Sequence, residues 1–182
     1  MNKTNVKPAT GKLGVMVVGL GAVTTTFMTG VLMARKGLAK PVGSMTQYDR
    51  IRVGQGADKK YLKYNEIAPI ASLDDIVFAA WDVYPANAYE SAINAEVLKE
   101  KDINPVREEL EAIKPMAAAF DRDYAKRLDG DNIMHGATRW QMVENLRRDI
   151  REFKEKNGID RVVVLWAAST EVYVPVDEKI HY

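Results

Sequence analysis

The hexapeptide Gly19-Leu20-Gly21-Ala22-Val23-Thr24 has the spacing of a turn that can hold a pyrophosphate. The first glycine of such a turn permits a tight bend, and the second lets backbone N–H groups come close to phosphate oxygens. A helix opening directly afterwards adds partial positive charge at its N-terminus. Thr24 stands where a third glycine is usual, which predicts a looser helix–strand contact than glycine would give. The acidic side chain that binds an adenosine ribose about 20 residues downstream of such a turn is missing, the first carboxylate being Asp49. Asp82 is a candidate to replace it, because it closes a second apolar run where open α/β sheets bind ligands. Equally, Asp82 could cap a helix opening near Pro85. Ala168-Ser169-Thr170-Glu171 follows a third apolar run, and its hydroxyls could bond a phosphate, a ribose or an amide; otherwise it is a simple turn. His135 sits in Asp131-Asn132-Ile133-Met134-His135-Gly136, a loop with no evident carboxylate partner, and reads as a solvated histidine. His181 carries no information, so no catalytic residue is assigned.

These groups need a scaffold, and the apolar pattern supplies one. Leu13-Gly14-Val15-Met16-Val17-Val18 reads as a strand buried on both faces. Val23, Phe27, Val31 and Ala34 then recur at helical steps, with Lys36 and Gly37 as a basic, glycine-stopped end. Residues 38–69 show no sustained period and read as a long loop, of a length that is often functional, with a short strand near Ile51-Arg52-Val53. Ile76-Val77-Phe78-Ala79-Ala80-Trp81 is the second buried strand, with a helix expected from Pro85 to about Lys99. Asn104-Pro105 starts another helix, striped by Val106, Leu110 and Ile113 and stopped at Lys114-Pro115. Thr138-Arg139-Trp140-Gln141 is a capping box, from which Met142, Leu146, Ile150 and Phe153 run to Gly158. The charges of Arg147-Arg148-Asp149-Ile150-Arg151-Glu152 read as a solvated, salt-bridged face. Arg161-Val162-Val163-Val164-Leu165-Trp166 is the third buried strand. Strands alternating with helices predict an α/β fold with a parallel sheet. Three strands are few for such a sheet, so the domain is expected to be incomplete.

Composition narrows the function classes. The 182 residues are 47% hydrophobic and 28% charged, enough for a core. Lys and Arg number 26 against 25 Asp and Glu, for a net charge of +1, which argues against a dedicated nucleic-acid partner. With no cysteine and two histidines, thiolate chemistry, disulfides and multi-histidine metal centres are excluded, and no metal site is expected. Residues 13–34 carry no charge, but glycines and three consecutive threonines interrupt them, so strand plus helix is favoured over a membrane span.

Taken together, the glycine turn, Trp81-Asp82-Val83 with Asn87-Ala88-Tyr89-Glu90 after it, and Val162-Val163-Val164-Leu165-Trp166-Ala167-Ala168-Ser169-Thr170-Glu171 resemble the inositol-3-phosphate synthases. The last segment is similar to that family's V-V-L-W-T-A-N-T-E-R. Two departures point to a bacterial branch: eukaryotic members carry G-W-G-G-N-N-G at the turn, and Ala168-Ser169-Thr170 stands in place of A-N-T. The resemblance implies a Rossmann-like NAD-binding domain over residues 13–182, behind a flexible leader at 1–12. It implies NAD as cofactor, contacted by Gly19, Leu20, Gly21, Ala22, Val23, Thr24, Asp82, Val83, Ala168, Ser169 and Thr170. It also implies a cytoplasmic, tetrameric isomerase of inositol and phospholipid biosynthesis acting on glucose 6-phosphate. Most catalytic lysines of that family lie in a second domain after the position of Glu171, so this chain alone is expected to be inactive. An ordinary NAD(P)-dependent dehydrogenase and a non-catalytic nucleotide-binding module are the alternatives.

Overall fold

A computed structural model describes residues 11–169. Strand β1 (Lys12–Val18) leads through the glycine turn into α1 (Ala22–Arg35). A short helix α2 (Met45–Tyr48), the strands β2 (Arg50–Val53) and β3 (Lys60–Lys63), and one helical turn α3 (Tyr64–Ile67) fill the next span. Strand β4 (Ile76–Asp82) follows, then α4 (Ala88–Asn94), α5 (Glu100–Ile103) and α6 (Arg107–Glu111). The two-residue β5 (Met116–Ala117), the 19-residue α7 (Arg139–Asn157) and β6 (Ile159–Trp166) complete the described chain.

The main sheet has the order β5-β4-β1-β6, and each of its pairings is parallel. Residues two apart on a strand share a face. Val15 and Val17 of β1 therefore pack with Ala80 of β4 against Met28 and Leu32 of α1. Gly14 faces the other way: a Cβ there would lie 2.8 Å from the Phe153 ring of α7. The sheet is thus covered by α1 and α4–α6 on one face and by α7 on the other. Arg35 ties the end of α1 to the start of β4, its guanidinium donating to the carbonyls of Leu73 and Ile76.

Much of the expected scaffold forms. The Thr138–Gln141 capping box is made in both directions, and Gly158 closes α7 in the left-handed conformation at φ 60°. The charged face of α7 carries ion pairs, including Arg147–Glu144 at 2.9 Å.

Several expectations are corrected. The buried face of α1 is Thr24, Thr25, Met28, Thr29, Val31 and Leu32, whereas Val23 is 73% exposed and Phe27 is exposed as well. Threonine can be buried here because its methyl packs while its hydroxyl bonds back to a carbonyl, as Thr25 Oγ1 does to Gly21 at 3.1 Å. The helix expected from Pro85 begins instead at Ala88, capped by Asn87, and ends at Asn94. At Asn104-Pro105 the chain makes a 3-10 turn (Asn104–Val106) before α6, although Val106 and Leu110 are buried as expected. In the span 38–69 the expected strand near Ile51 forms as β2, but it is paired with an unexpected β3 in an antiparallel hairpin. Its second strand, Lys60-Tyr61-Leu62-Lys63, escapes pattern reading because all but Leu62 is exposed. A fourth strand, β5, is too short to leave a pattern. Finally, β6 is not buried; beyond Ile159 none of its residues reaches the interior.

Candidate nucleotide-binding site

The glycine turn lies at the C-terminal edge of the sheet, between β1 and α1. Gly19 has φ 97°, a conformation side chains disfavour, and a Cβ there would lie 2.7 Å from the Ala168 Cα. Its N–H donates to the Trp81 carbonyl at 2.8 Å, and its carbonyl accepts the Thr24 hydroxyl at 2.6 Å. Thr24 is 2% exposed, so the third glycine's place is taken by a buried staple and not by a looser contact. Gly21 is the opposite case: a Cβ there would meet no atom within 4 Å. It is the N-cap of α1, which has neither a side-chain cap nor an acidic residue in its first turn. The N–H groups of Ala22, Val23 and Thr24 are thus the first of a 14-residue helix, and the space at Gly21 just before them is open. That is a cradle for an anion approaching the backbone.

Asp82 closes the neighbouring strand and faces this turn. Its Oδ2 accepts the Leu20 N–H at 2.5 Å, and its Oδ1 accepts the Tyr84 N–H at 2.9 Å. It does not cap the following helix, because Asn87 performs that task through the Tyr89 and Glu90 N–H groups at 3.0 Å. The order β5-β4-β1-β6 matches the first four strands, 3-2-1-4, of a dinucleotide-binding sheet. On that map β4 is the second strand, and Asp82 is the acid at its end. The excursion holding β2 and β3 intervenes, so the acid arrives 62 residues after Leu20 rather than about 20.

Other sequence-derived residues also fall here. Ala167 donates its N–H to the Val18 carbonyl at 2.9 Å, which brings the Ala167-Ala168 backbone against Gly19. Ser169 follows directly, and Thr170 lies outside the described residues. The Val83 carbonyl accepts the Asn132 N–H at 2.9 Å. His135 is exposed, its Nε2 donating to the Asp131 carbonyl at 3.0 Å. It borders a cavity of about 420 Å³ beyond β5, with Phe120, Arg122, Met134, Arg139 and Met142 among its walls. Burial and a hydrogen bond to Asp129 push the Tyr84 phenol above its ordinary value. Sequence reasoning missed Gly130 and Asn132, which pack the 118–135 segment onto the end of β4; single residues in an aperiodic stretch leave no signal. Among the described residues no cluster of three or more His, Asp or Glu could hold a metal ion, and no helix is long and apolar enough to cross a membrane.

Comparison with known proteins places this geometry. Residues 13–182 match a family model for the NAD-binding part of myo-inositol-1-phosphate synthase. The chain belongs to the myo-inositol-1-phosphate synthase family. An inositol-3-phosphate synthase 1 of Bacteroides thetaiotaomicron is 58% identical over 97% of this chain and 41% of its own length. An inositol-3-phosphate synthase isozyme of Arabidopsis thaliana is 36% identical over 89% of this chain and 34% of its own. The crystal structure of the Caenorhabditis elegans inositol-3-phosphate synthase superposes with a TM-score of 0.78 at 26% identity, covering 96% of this chain and 37% of that one. This synthase-family chain therefore spans about two fifths of the length of the Bacteroides relative. The matched part is the family's NAD-binding, parallel α/β unit.

Proposed function

We propose that residues 13–182 act as the NAD-holding part of an inositol-3-phosphate synthase. The observation that carries this is the open backbone at Gly21 beside the uncapped start of α1, held in place by Gly19 at φ 97°. In this reading the N–H groups of residues 21–24 bind the pyrophosphate, with Leu20 and Val23 flanking it. Asp82 orients the turn through the Leu20 N–H, and its remaining lone pairs accept ribose hydroxyls. Val83, Ala168, Ser169 and Thr170 complete the edge along which the dinucleotide lies, and the cavity beyond β5 offers room for a base. NAD, when bound, supplies reversible hydride uptake at a substrate carbon.

The reaction served is the conversion of glucose 6-phosphate to inositol 3-phosphate by oxidation at C5, enolisation, intramolecular aldol closure and reduction. Its net redox change is zero, which is why a deep hold on the cofactor matters more than its release. Proton transfer beside a carbonyl needs positioned acids and bases, and no residue among those described here is assigned that role. A cytoplasmic homotetramer is the assembly this reading implies.

The test is calorimetric titration with NAD. Gly21→Val places a branched side chain in the open space, so NAD binding falls at least about tenfold, roughly the loss of one charge-assisted hydrogen bond, while thermal stability holds. Equal affinity in mutant and parent removes the assignment. Incubation with glucose 6-phosphate and NAD checks the chemistry: this chain alone yields no inositol phosphate. Net NADH formation from an alcohol would point to a dehydrogenase instead.

A further inference from the structure

One side chain, Asn132, joins the C-terminal ends of β4 and β5. Its Nδ2 donates to the Asp82 carbonyl at 2.9 Å and to the Met116 carbonyl at 3.3 Å. Its backbone N–H donates to the Val83 carbonyl, and its own carbonyl accepts the Ala118 N–H, both at 2.9 Å. The pairing of β4 with β5 covers only Trp81-Asp82 and Met116-Ala117, so little else registers the two ends. A primary amide suits this place because one nitrogen carries two donors for two carbonyls. Aspartate would set acceptors against acceptors. The segment is also seated without slack: a Cβ at Gly130 would lie 2.3 Å from the Val83 carbonyl oxygen.

Asp82 is therefore held at two points. Asn132 fixes its peptide, and its carboxylate meets the N–H groups of Leu20 and Tyr84. Loss of the first anchor frees the Asp82 peptide to rotate and turns the carboxylate away from the glycine turn. We propose that Asn132 is a positioning residue for the nucleotide, acting through Asp82 on the Gly19–Leu20 turn. This rests on the NAD reading of the site. Neither the glycine-turn pattern nor the strand-end acid points to this residue.

The test is NAD titration of the 182-residue parent, Asn132→Ala, Asp82→Ala and the double variant. Asn132→Ala weakens NAD about three- to tenfold, as expected for an oriented hydrogen bond. Asp82→Ala weakens it at least as much, and the double variant is no weaker than Asp82→Ala alone. A residue that merely supports the fold would lower affinity by the same factor in both backgrounds. Such multiplicative effects, or an unchanged affinity in Asn132→Ala while Asp82→Ala binds poorly, overturn the positioning role and leave the NAD site standing. Unchanged affinity in Asp82→Ala also overturns the positioning role, whereas absence of NAD binding by the parent removes the site itself. A second variant, Asn132→Ser, keeps a short donor for one carbonyl, and amide hydrogen exchange then reads the turn directly. Faster exchange at Leu20, with Gly19 still protected by the Trp81 carbonyl, supports the proposal; unchanged exchange at Leu20 overturns it.

Discussion

β1 and β6 both carry a valine-rich apolar run and pair in register from Leu13–Arg161 to Val18–Trp166, yet they live in different environments. Met16 of β1 is fully buried, whereas its partner Val164 in β6 is 49% exposed and Trp166 is 79% exposed. β1 has a parallel neighbour on each side and helices over both faces; β6 has β1 on one side, α7 over part of one face, and a free edge among the described residues. An apolar run therefore specifies a strand but not its depth, which depends on what the rest of the chain lays beside it. The two strands converge again at their C-terminal ends, where Ala167 bonds Val18 and Ala168 touches Gly19. β6 is thus exposed along most of its length, while the backbone just after it is pinned against the glycine turn.

The largest expected effect separates the two strands directly. Met16→Ala empties a fully buried site and costs about 2–5 kcal/mol, while Val164→Ala costs less than about 1 kcal/mol because half of that side chain is already in water. Urea unfolding measures both, and equal losses would erase the distinction. Next comes the pinned end: Gly19→Ala forces a Cβ into the Ala168 backbone at positive φ, costing about 1–3 kcal/mol. Gly21→Ala, facing open space, leaves the urea midpoint nearly unchanged. A smaller effect probes the free edge. Leu165→Lys changes stability by about 0.5 kcal/mol but reduces self-association in light scattering, because a charged edge resists strand addition. No change in scattering would mean that this edge is not what associates.

The smallest effect lies away from both strands. Lys36 on the turn after α1 donates to Glu109 of α6 at 2.5 Å, and this hydrogen bond holds the Glu109 carboxyl below its ordinary value. A depressed carboxyl stabilises the fold above its unfolded pKa and loses that contribution as pH falls through the lower, folded value. The pair is partly exposed, so the contribution is about 0.5 kcal/mol. Glu109→Gln should flatten the acid limb of a stability-against-pH curve by that amount, with no change at the nucleotide edge.

The strands β1 and β4, the capping box and glycine stop of α7, and the glycine turn were all legible as local patterns. Each depends on a few neighbouring residues whose steric or hydrogen-bonding needs are the same in any context. The face of α1 was misread because hydropathy scores threonine as polar, while Thr24 and Thr25 spend their hydroxyls on carbonyls of the turn and bury their methyls. β3 and β5 were missed because an exposed hairpin strand and a two-residue strand have no apolar period to detect.

By itself the sequence determined that residues 13–35 make a strand, a phosphate-sized glycine turn and a helix, and that Asp82 ends a second strand. Those properties follow from backbone sterics and local periodicity. Only the tertiary structure decided that β4 lies beside β1, and so that Asp82 faces Leu20 across 62 residues of chain. It also decided that Asn132 seals the same edge and that β6 stays exposed. Contacts between residues far apart in sequence are set by how elements pack, and no local pattern encodes which neighbour a strand will find.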